Sequence, residues 1–105
     1  MFYHATPLRN LDSIRDAGLL VSKANPASKI QGVWVCTMQN RPWSVLHTIR
    51  KYHVSLDEVA VIEIHVLPGK LTRFRQGLYY SLVDIAPSKL GIVINGMAFG
   101  AGVSE

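Results

Sequence analysis

The alternation of apolar and polar residues along this chain predicts two helices and a set of short strands. Five stretches have the apolar, β-branched and aromatic content typical of strands: residues 1–5, 32–37, 58–67, 78–85 and 90–94. The longest of them places Ile62, Ile64 and Val66 on one face, because side chains alternate along a strand. Since most strands follow the helices instead of alternating with them, the pattern predicts an α+β fold.

Two segments carry helix signals. Residues 10–18 begin at Asn10, a favourable N-cap, and end at Gly18, which suits the left-handed conformation that stops a helix. A second helix is predicted from Pro42, which is tolerated in a first turn, to about residue 53, because apolar residues recur there at helical spacing.

The remaining segments predict loops inside a single small domain over residues 1–105. Residues 22–31 are polar and predict a loop, and the glycine-punctuated residues 95–105 are expected to be partly ordered or frayed. A hydrophobic content of 49% excludes a disordered chain, which lacks the apolar surface to offset its ordering entropy. The apolar runs fall far short of the roughly 20 residues that span a bilayer, so we expect no membrane partner.

Charge and cysteine content indicate which partners and which cellular compartment to expect. The net charge of +4 is a mild basic bias, and residues 50–51 and 70–75 carry basic side chains that could meet phosphates or form a solvated surface. The single cysteine, Cys36, cannot form an internal disulfide, which fits a reducing compartment. No charged segment followed by an apolar one opens the chain, so the sequence predicts a cytoplasmic protein.

The sequence predicts no metal site. His47 and His53 are six residues apart, which does not place both on one helical face, and no cysteine or carboxylate falls at ligand spacing with either. Cys36 lies within an apolar strand, where a thiol usually packs, although thiol chemistry with a histidine stays open.

One ordered set of residues at the start of the chain forms a motif: Tyr3, His4, Ala5, Thr6, Asn10, Leu11, Ile14, Gly18 and Leu19. This motif resembles the opening of the ADP-ribosyltransferase superfamily, which includes poly-ADP-ribose polymerases, DNA-modifying ADP-ribosyltransferase toxins and RNA 2′-phosphotransferases. Residues 32–37 look like the second motif of that family, and residues 58–67 and 78–90 resemble its closing strands. The likeness covers about residues 2–94 and implies a split antiparallel β-sheet core with two short helices.

The resemblance implies that NAD is bound as a substrate. In the family the motif histidine, here His4, hydrogen-bonds the adenosine ribose, while Thr6 supports it and the backbone at Ala5 holds the nicotinamide amide. Trp34 falls where many members carry a tyrosine beside the nicotinamide ribose, and it keeps the stacking face of that tyrosine without its hydroxyl.

Further roles are implied less directly. Trp43 is expected either to stack on nicotinamide or to pack in the core, and Tyr80 is expected near the cofactor. Arg9 could reach the pyrophosphate. Transferring members place a catalytic glutamate where this chain has Tyr80 and its neighbours, so Asp84 is the expected catalytic carboxylate beside His4 and Trp34, with Glu63 as the other carboxylate considered.

Three functions follow as expectations from the resemblance. The first is a toxin-like or other NAD-dependent enzyme that transfers ADP-ribose to a protein or nucleic-acid acceptor. The second is a catalytically inactive module of the same fold that binds a nucleotide, ADP-ribose or a partner. The third is an RNA 2′-phosphotransferase-like enzyme, a branch that relies on arginine and histidine and not on the glutamate. An unrelated small α+β domain is the remaining alternative.

Overall fold

A computed structural model describes residues 1–24 and 29–99 of the chain. Within these residues, eight helices and strands are numbered in chain order: β1 Phe2–Pro7, α1 Leu11–Ala17, β2 Val33–Thr37, α2 Arg41–Tyr52, β3 Val59–Ile64, β4 Thr72–Arg75, β5 Leu78–Ser81 and β6 Leu90–Asn95. Short 3-10 turns connect several of them. The α+β class with two short helices, predicted from the sequence, is confirmed.

The strands pair antiparallel in one sheet with the order β4-β5-β2-β1-β3-β6. The central strand β1 pairs with β3 along its whole length. On its other side, its pairing with β2 is limited to Phe2 opposite Thr37 and Tyr3 opposite Cys36. From His4 onward, the described residues of β1 and β2 share no backbone pairing, so the sheet opens in its middle.

Apolar side chains fill both faces of the sheet. One cluster, which includes α1, contains Phe2, Ile14, Leu19, Val33, Val35, Ile62, Ile64 and Ile85. The other cluster, which includes α2, contains Tyr3, Cys36, Val45, Val54, Val59, Val61 and Leu78. Neighbouring strand residues fall into different clusters because side chains alternate across a strand. The face predicted for Ile62 and Ile64 is confirmed, and Val66 packs against it.

The helix ends follow local sequence signals. α1 ends at Gly18, whose φ of 84° favours glycine, and a Cβ there would overlap the Ile85 carbonyl oxygen. Asn10 occupies the N-cap position as predicted, but its side chain makes no capping hydrogen bond. α2 carries Pro42 in its first turn and ends at His53, which adopts the left-handed conformation with φ 54°.

Several strands differ from the sequence-based expectation, and one of them, β3, ends at Ile64, three residues before the predicted end at residue 67. The sequence pattern does not predict β4, because its four residues are all exposed and lack apolar alternation. The strand forms because Gln76 and Gly77 make a two-residue turn into β5, with a φ of 80° at Gly77. β5 ends at Ser81, before the predicted residue 85, because the Ser81 hydroxyl bonds the backbone of Val83.

The ends of β1 and two segments outside the strands can be compared with the sequence-based expectation. β1 runs two residues beyond the predicted stretch, to Pro7. The predicted loop contains the 3-10 turn Val21–Lys23, while its residues 25–28 lie outside the described residues. In the predicted tail, Gly96–Phe99 form a 3-10 turn, and residues 100–105 lie outside the described residues.

Candidate functional site

A cleft of about 960 Å³ opens where β1 and β2 separate. Both helices, the parted strands and β4 contribute to its lining. The volume lies near the upper end of the roughly 300–1,000 Å³ typical of small-molecule sites. Side chains that are far apart in the sequence therefore converge on one space, among them His4, Thr6, Trp34, Trp43 and His47.

His4 bridges the opening of the sheet. Its Nδ1 atom lies 2.7 Å from the Trp34 carbonyl oxygen, and because that oxygen only accepts, Nδ1 is the protonated nitrogen. Burial lowers the pKa of His4 below its ordinary value of 6.5, and the Lys51 charge lowers it further, against the opposing effect of the Trp34 carbonyl. The imidazole is therefore neutral at pH 7, which leaves Nε2 as an acceptor in a residue that lines the cleft.

The other residues of the opening motif also line the cleft. Thr6 is 5% exposed and Ala5 is half-buried, and both contribute to the wall beside His4. Trp34 lies on the facing strand and is half-buried. Its ring contacts Tyr80 with ring centroids 5.1 Å apart. Tyr80, which is expected near the cofactor, is not among the lining residues, although its ring contacts Trp34, which is one of them.

The far wall is formed by α2 and β4. Trp43 stacks on His47 with centroids 5.1 Å apart and an interplanar angle of 12°, one helical turn along α2. The Arg75 guanidinium carbon lies 5.2 Å from the centroid of Trp43. Trp43 is 41% exposed and lines the cleft, so it does not pack in the core, which is one of the two roles expected for it.

The charge of the cleft is positive. Lys23, Lys51 and Arg75 line it, whereas none of the Asp and Glu side chains in residues 1–24 and 29–99 does. Burial is the main cause that lowers the pKa of His47, and the neighbouring Lys51 and Arg50 charges lower it further. The site therefore favours anionic ligands.

Besides Tyr80, three residues expected or considered for the site lie outside this lining. Arg9 is exposed on the turn that follows β1. Asp84 accepts a hydrogen bond from the Val21 backbone N–H at 2.8 Å, which fixes the segment after α1. Glu63 accepts one from the Ile92 N–H at 3.2 Å, beside the irregular pairing of β3 with β6. The structure thus brings His4 and Trp34 together, and it leaves Asp84 apart from them.

Sequence reasoning does not place His47 and Phe74 in the cleft, and it identifies Lys51 and Arg75 only as basic residues that could meet phosphates. The spacing of four between Trp43 and His47 on the predicted helix was a usable signal, because such residues share a helix face. No local signal places Phe74 and Arg75 at this cleft, because the sequence pattern does not predict the strand that carries them.

We also searched the described residues for a metal site, a reactive thiol and a membrane-spanning helix. No group of three or more His, Cys, Asp or Glu side chains among them could hold a metal ion. Cys36 is buried, and burial raises the pKa of its thiol, so it is protonated and packed at pH 7. The described part of the chain contains no helix with the length and apolar character needed to cross a bilayer.

Comparison with known proteins assigns no function to this chain, so a function has to be argued from its residues. No protein-family model matches this chain, and no curated protein matches its sequence.

Proposed function

We propose that this protein is ADP-ribosyltransferase-like and binds NAD in the cleft between β1 and β2. The observation that carries the proposal is His4, whose ring spans the gap between the parted strands and lines the cleft. A histidine held by its Nδ1–H to a backbone carbonyl has a fixed ring and a defined acceptor at Nε2. Such an acceptor suits the hydroxyls of a ribose.

The chemistry of the lining fits a dinucleotide. NAD carries two ring systems, two riboses and a pyrophosphate. Trp34 and Trp43 offer aromatic surfaces for stacking, and His4 and Thr6 offer hydrogen bonds. Lys51 supplies positive charge to the same space, together with the other lining cations. In this proposal these cations meet the pyrophosphate in place of Arg9, which lies outside the lining.

The charge of the cleft separates two reactions for bound NAD. Transfer of ADP-ribose to a protein or nucleic-acid acceptor passes through a cation-like state of the ribose as nicotinamide leaves, and negative charge stabilises such a state. The described lining has cations and no carboxylate. This observation favours a second candidate function, in which the protein binds NAD or ADP-ribose without transferring it.

Calorimetric titration tests the binding proposal. We expect NAD and ADP-ribose to bind the wild-type protein and His4→Ala to bind them at least roughly 5-fold more weakly, which corresponds to about 1 kcal/mol for one hydrogen bond. The matched control is His65→Ala, since His65 is half-exposed and lies outside the cleft lining. Wild-type protein that gives no binding signal with either ligand would overturn the proposal.

Product analysis decides between the two candidates. Labelled NAD is incubated with the protein and cell extract, and nicotinamide release and transfer of label are measured. Release that His4→Ala abolishes supports the transferase, whereas binding without release supports the binding module. RNA ending in a 2′-phosphate is tested in the same assay, and loss of its phosphate would assign the phosphotransferase-like reaction.

A further inference from the structure

The mouth of the cleft carries an unusual concentration of exposed aromatic side chains. Trp43, Tyr52 and Phe74 are 41%, 38% and 54% exposed, and all three line the cleft. We refer to these three residues as the aromatic wall. Neighbouring side chains hold two of these rings in place: Trp43 stacks on His47, and Phe74 lies edge-on to Trp34 with ring centroids 5.1 Å apart. The exposed part of each ring is open to a ligand.

Cations accompany the rings of the aromatic wall. The Arg75 guanidinium carbon lies 5.2 Å from the Trp43 centroid, and the Lys51 Nζ lies 5.2 Å from the Tyr52 centroid. Phe74 lies between Arg73 and Arg75 in the sequence of β4. Since none of the described carboxylates lines the cleft, these charges are not neutralised there.

The local structure of β4 directs two neighbouring side chains to the same space. Successive residues of a regular strand point to opposite faces. The pairing of β4 with β5 is irregular between Arg73 and Arg75, and Phe74 and Arg75 both line the cleft. Irregularities of this kind re-aim side chains and are common beside functional sites. β4 is also an edge strand, so its outer side is open to an extended ligand.

We propose that the aromatic wall, with Lys51, Arg73 and Arg75, binds single-stranded nucleic acid. Flat exposed rings interleaved with cations are the arrangement that binds bases by stacking and phosphates by charge, without dependence on sequence. An acidic peptide would match the charge, but it would not make use of the exposed parts of the rings for stacking. Duplex DNA hides the faces of its bases inside the stack, so the strand must be single.

This inference rests on the proposed function only in its location. The bound strand would lie along the mouth of the NAD cleft, where it would share Trp43 and Lys51 with the proposed NAD site. Binding of the strand itself does not require NAD. The two proposals can therefore fail separately.

The test uses fluorescence anisotropy with labelled oligonucleotides of about 12 nucleotides, within the site sizes known for single-strand binders. We expect single-stranded DNA or RNA to bind and duplex DNA of the same length to bind more weakly. The log of the binding constant should fall with the log of the salt concentration with a slope of roughly −2, at ~0.7 for each phosphate neutralised by Lys51, Arg73 and Arg75. Separate DNA and RNA arms show which sugar is preferred.

Two matched pairs of variants locate the site. Phe74→Ala should weaken binding roughly 5- to 150-fold, the range for loss of one stacked base, while Phe74→Leu, which keeps an apolar side chain without the ring, should lose a similar amount. Arg75→Gln should weaken binding and reduce the salt slope by about 0.7. Lys89→Gln removes the same charge outside the cleft lining and should change neither.

Three results would overturn the inference: no binding of either single strand, equal binding of duplex and single strand, or equal binding of polyglutamate with no effect of Phe74→Ala. The last result would indicate a general polyanion surface, as for an acidic protein partner. Binding of the strand without binding of NAD would leave this inference standing and refute the proposed function. Thermal unfolding of each variant confirms that the exposed substitutions leave the fold intact.

Discussion

His4 has two nitrogens with different roles, and two substitutions can separate them. Asparagine places an amide nitrogen where the histidine has Nδ1, whereas glutamine places one near Nε2. We expect His4→Asn to keep the hydrogen bond to the Trp34 carbonyl oxygen, which lies 2.7 Å from Nδ1 in the wild type, and to lose the acceptor at Nε2. We expect His4→Gln to lose the bond to Trp34.

The loss of stability expected for His4→Gln follows from the position of the Trp34 carbonyl. This carbonyl lies where β1 and β2 no longer pair. When His4 is replaced, β1 therefore offers it no backbone N–H as a new donor. A polar group deprived of its partner in this way costs about 1–3 kcal/mol. For a domain of about 100 residues, each kcal/mol lowers Tm by roughly 4–8 °C. His4→Gln should therefore unfold roughly 4–24 °C below the wild type, and His4→Asn should unfold much closer to it.

Urea unfolding followed by tryptophan fluorescence measures the loss of stability when the Nδ1 bond is removed. Titration with NAD measures the loss of affinity when the Nε2 acceptor is removed. His4→Asn should be nearly as stable as the wild type and yet bind NAD at least roughly 5-fold more weakly. If His4→Asn loses as much stability as His4→Gln, the Nδ1 bond does not hold the opening of the sheet. If it binds NAD as tightly as the wild type, Nε2 is not a ligand contact.

The pH dependence of stability provides an independent check. Because burial lowers the pKa of His4 in the folded protein, the unfolded chain binds the proton more readily as the pH falls below about 6.5. The stability associated with the neutral ring is therefore complete above the unfolded pKa and is lost as the pH falls through the lowered folded pKa. The pKa of His47 shifts in the same direction, so the difference in unfolding free energy between the wild type and His4→Asn isolates His4. A difference that stays constant from pH 8 to 5 would contradict this reasoning.

Three further substitutions or reactions test the surroundings of the site. Gly18→Ala should lower the unfolding free energy by at least about 1–2 kcal/mol, because φ is 84° and a Cβ would overlap the Ile85 carbonyl oxygen; unchanged urea unfolding would contradict this. Asp84→Ala removes the acceptor of the Val21 N–H and should cost roughly 1 kcal/mol of stability without changing NAD affinity. Weaker NAD binding at unchanged stability would instead support the catalytic role expected for Asp84. Cys36 should react with a thiol reagent only as fast as the protein opens, since it is buried; rapid reaction of the native protein would indicate an accessible thiol.

The parts of the fold that the sequence predicts are those fixed by local chemistry. Gly18 stops α1 because glycine adopts a positive φ without strain, and Pro42 opens α2 because a first turn needs no N–H there. The shared face of Ile62 and Ile64 follows from the period of two along a strand. These signals lie within a few residues of the feature they determine.

The parts that the sequence did not predict depend on pairing between distant segments. β4 has no buried residue, so its existence depends on the hairpin at Gly77 and on β5 as a partner. The opening of the sheet depends on the register between β1 and β2, which are joined only near Tyr3 and Cys36. The position of Asp84 depends on how the chain after β5 returns to the segment that follows α1.

The charge of the cleft links the two proposals. Lys23, Lys51 and Arg75 attract a pyrophosphate, but the same positive potential opposes a cation-like ribose, and only interactions stronger in the transition state accelerate a reaction. Tight binding of NAD alone would therefore say little about turnover. A nucleic-acid strand on the aromatic wall would bring phosphates next to Lys51 and Arg75 and reduce that potential where the ribose reacts. The absence of nicotinamide release from NAD and protein alone would thus count against transfer only if it persists when a single strand is bound.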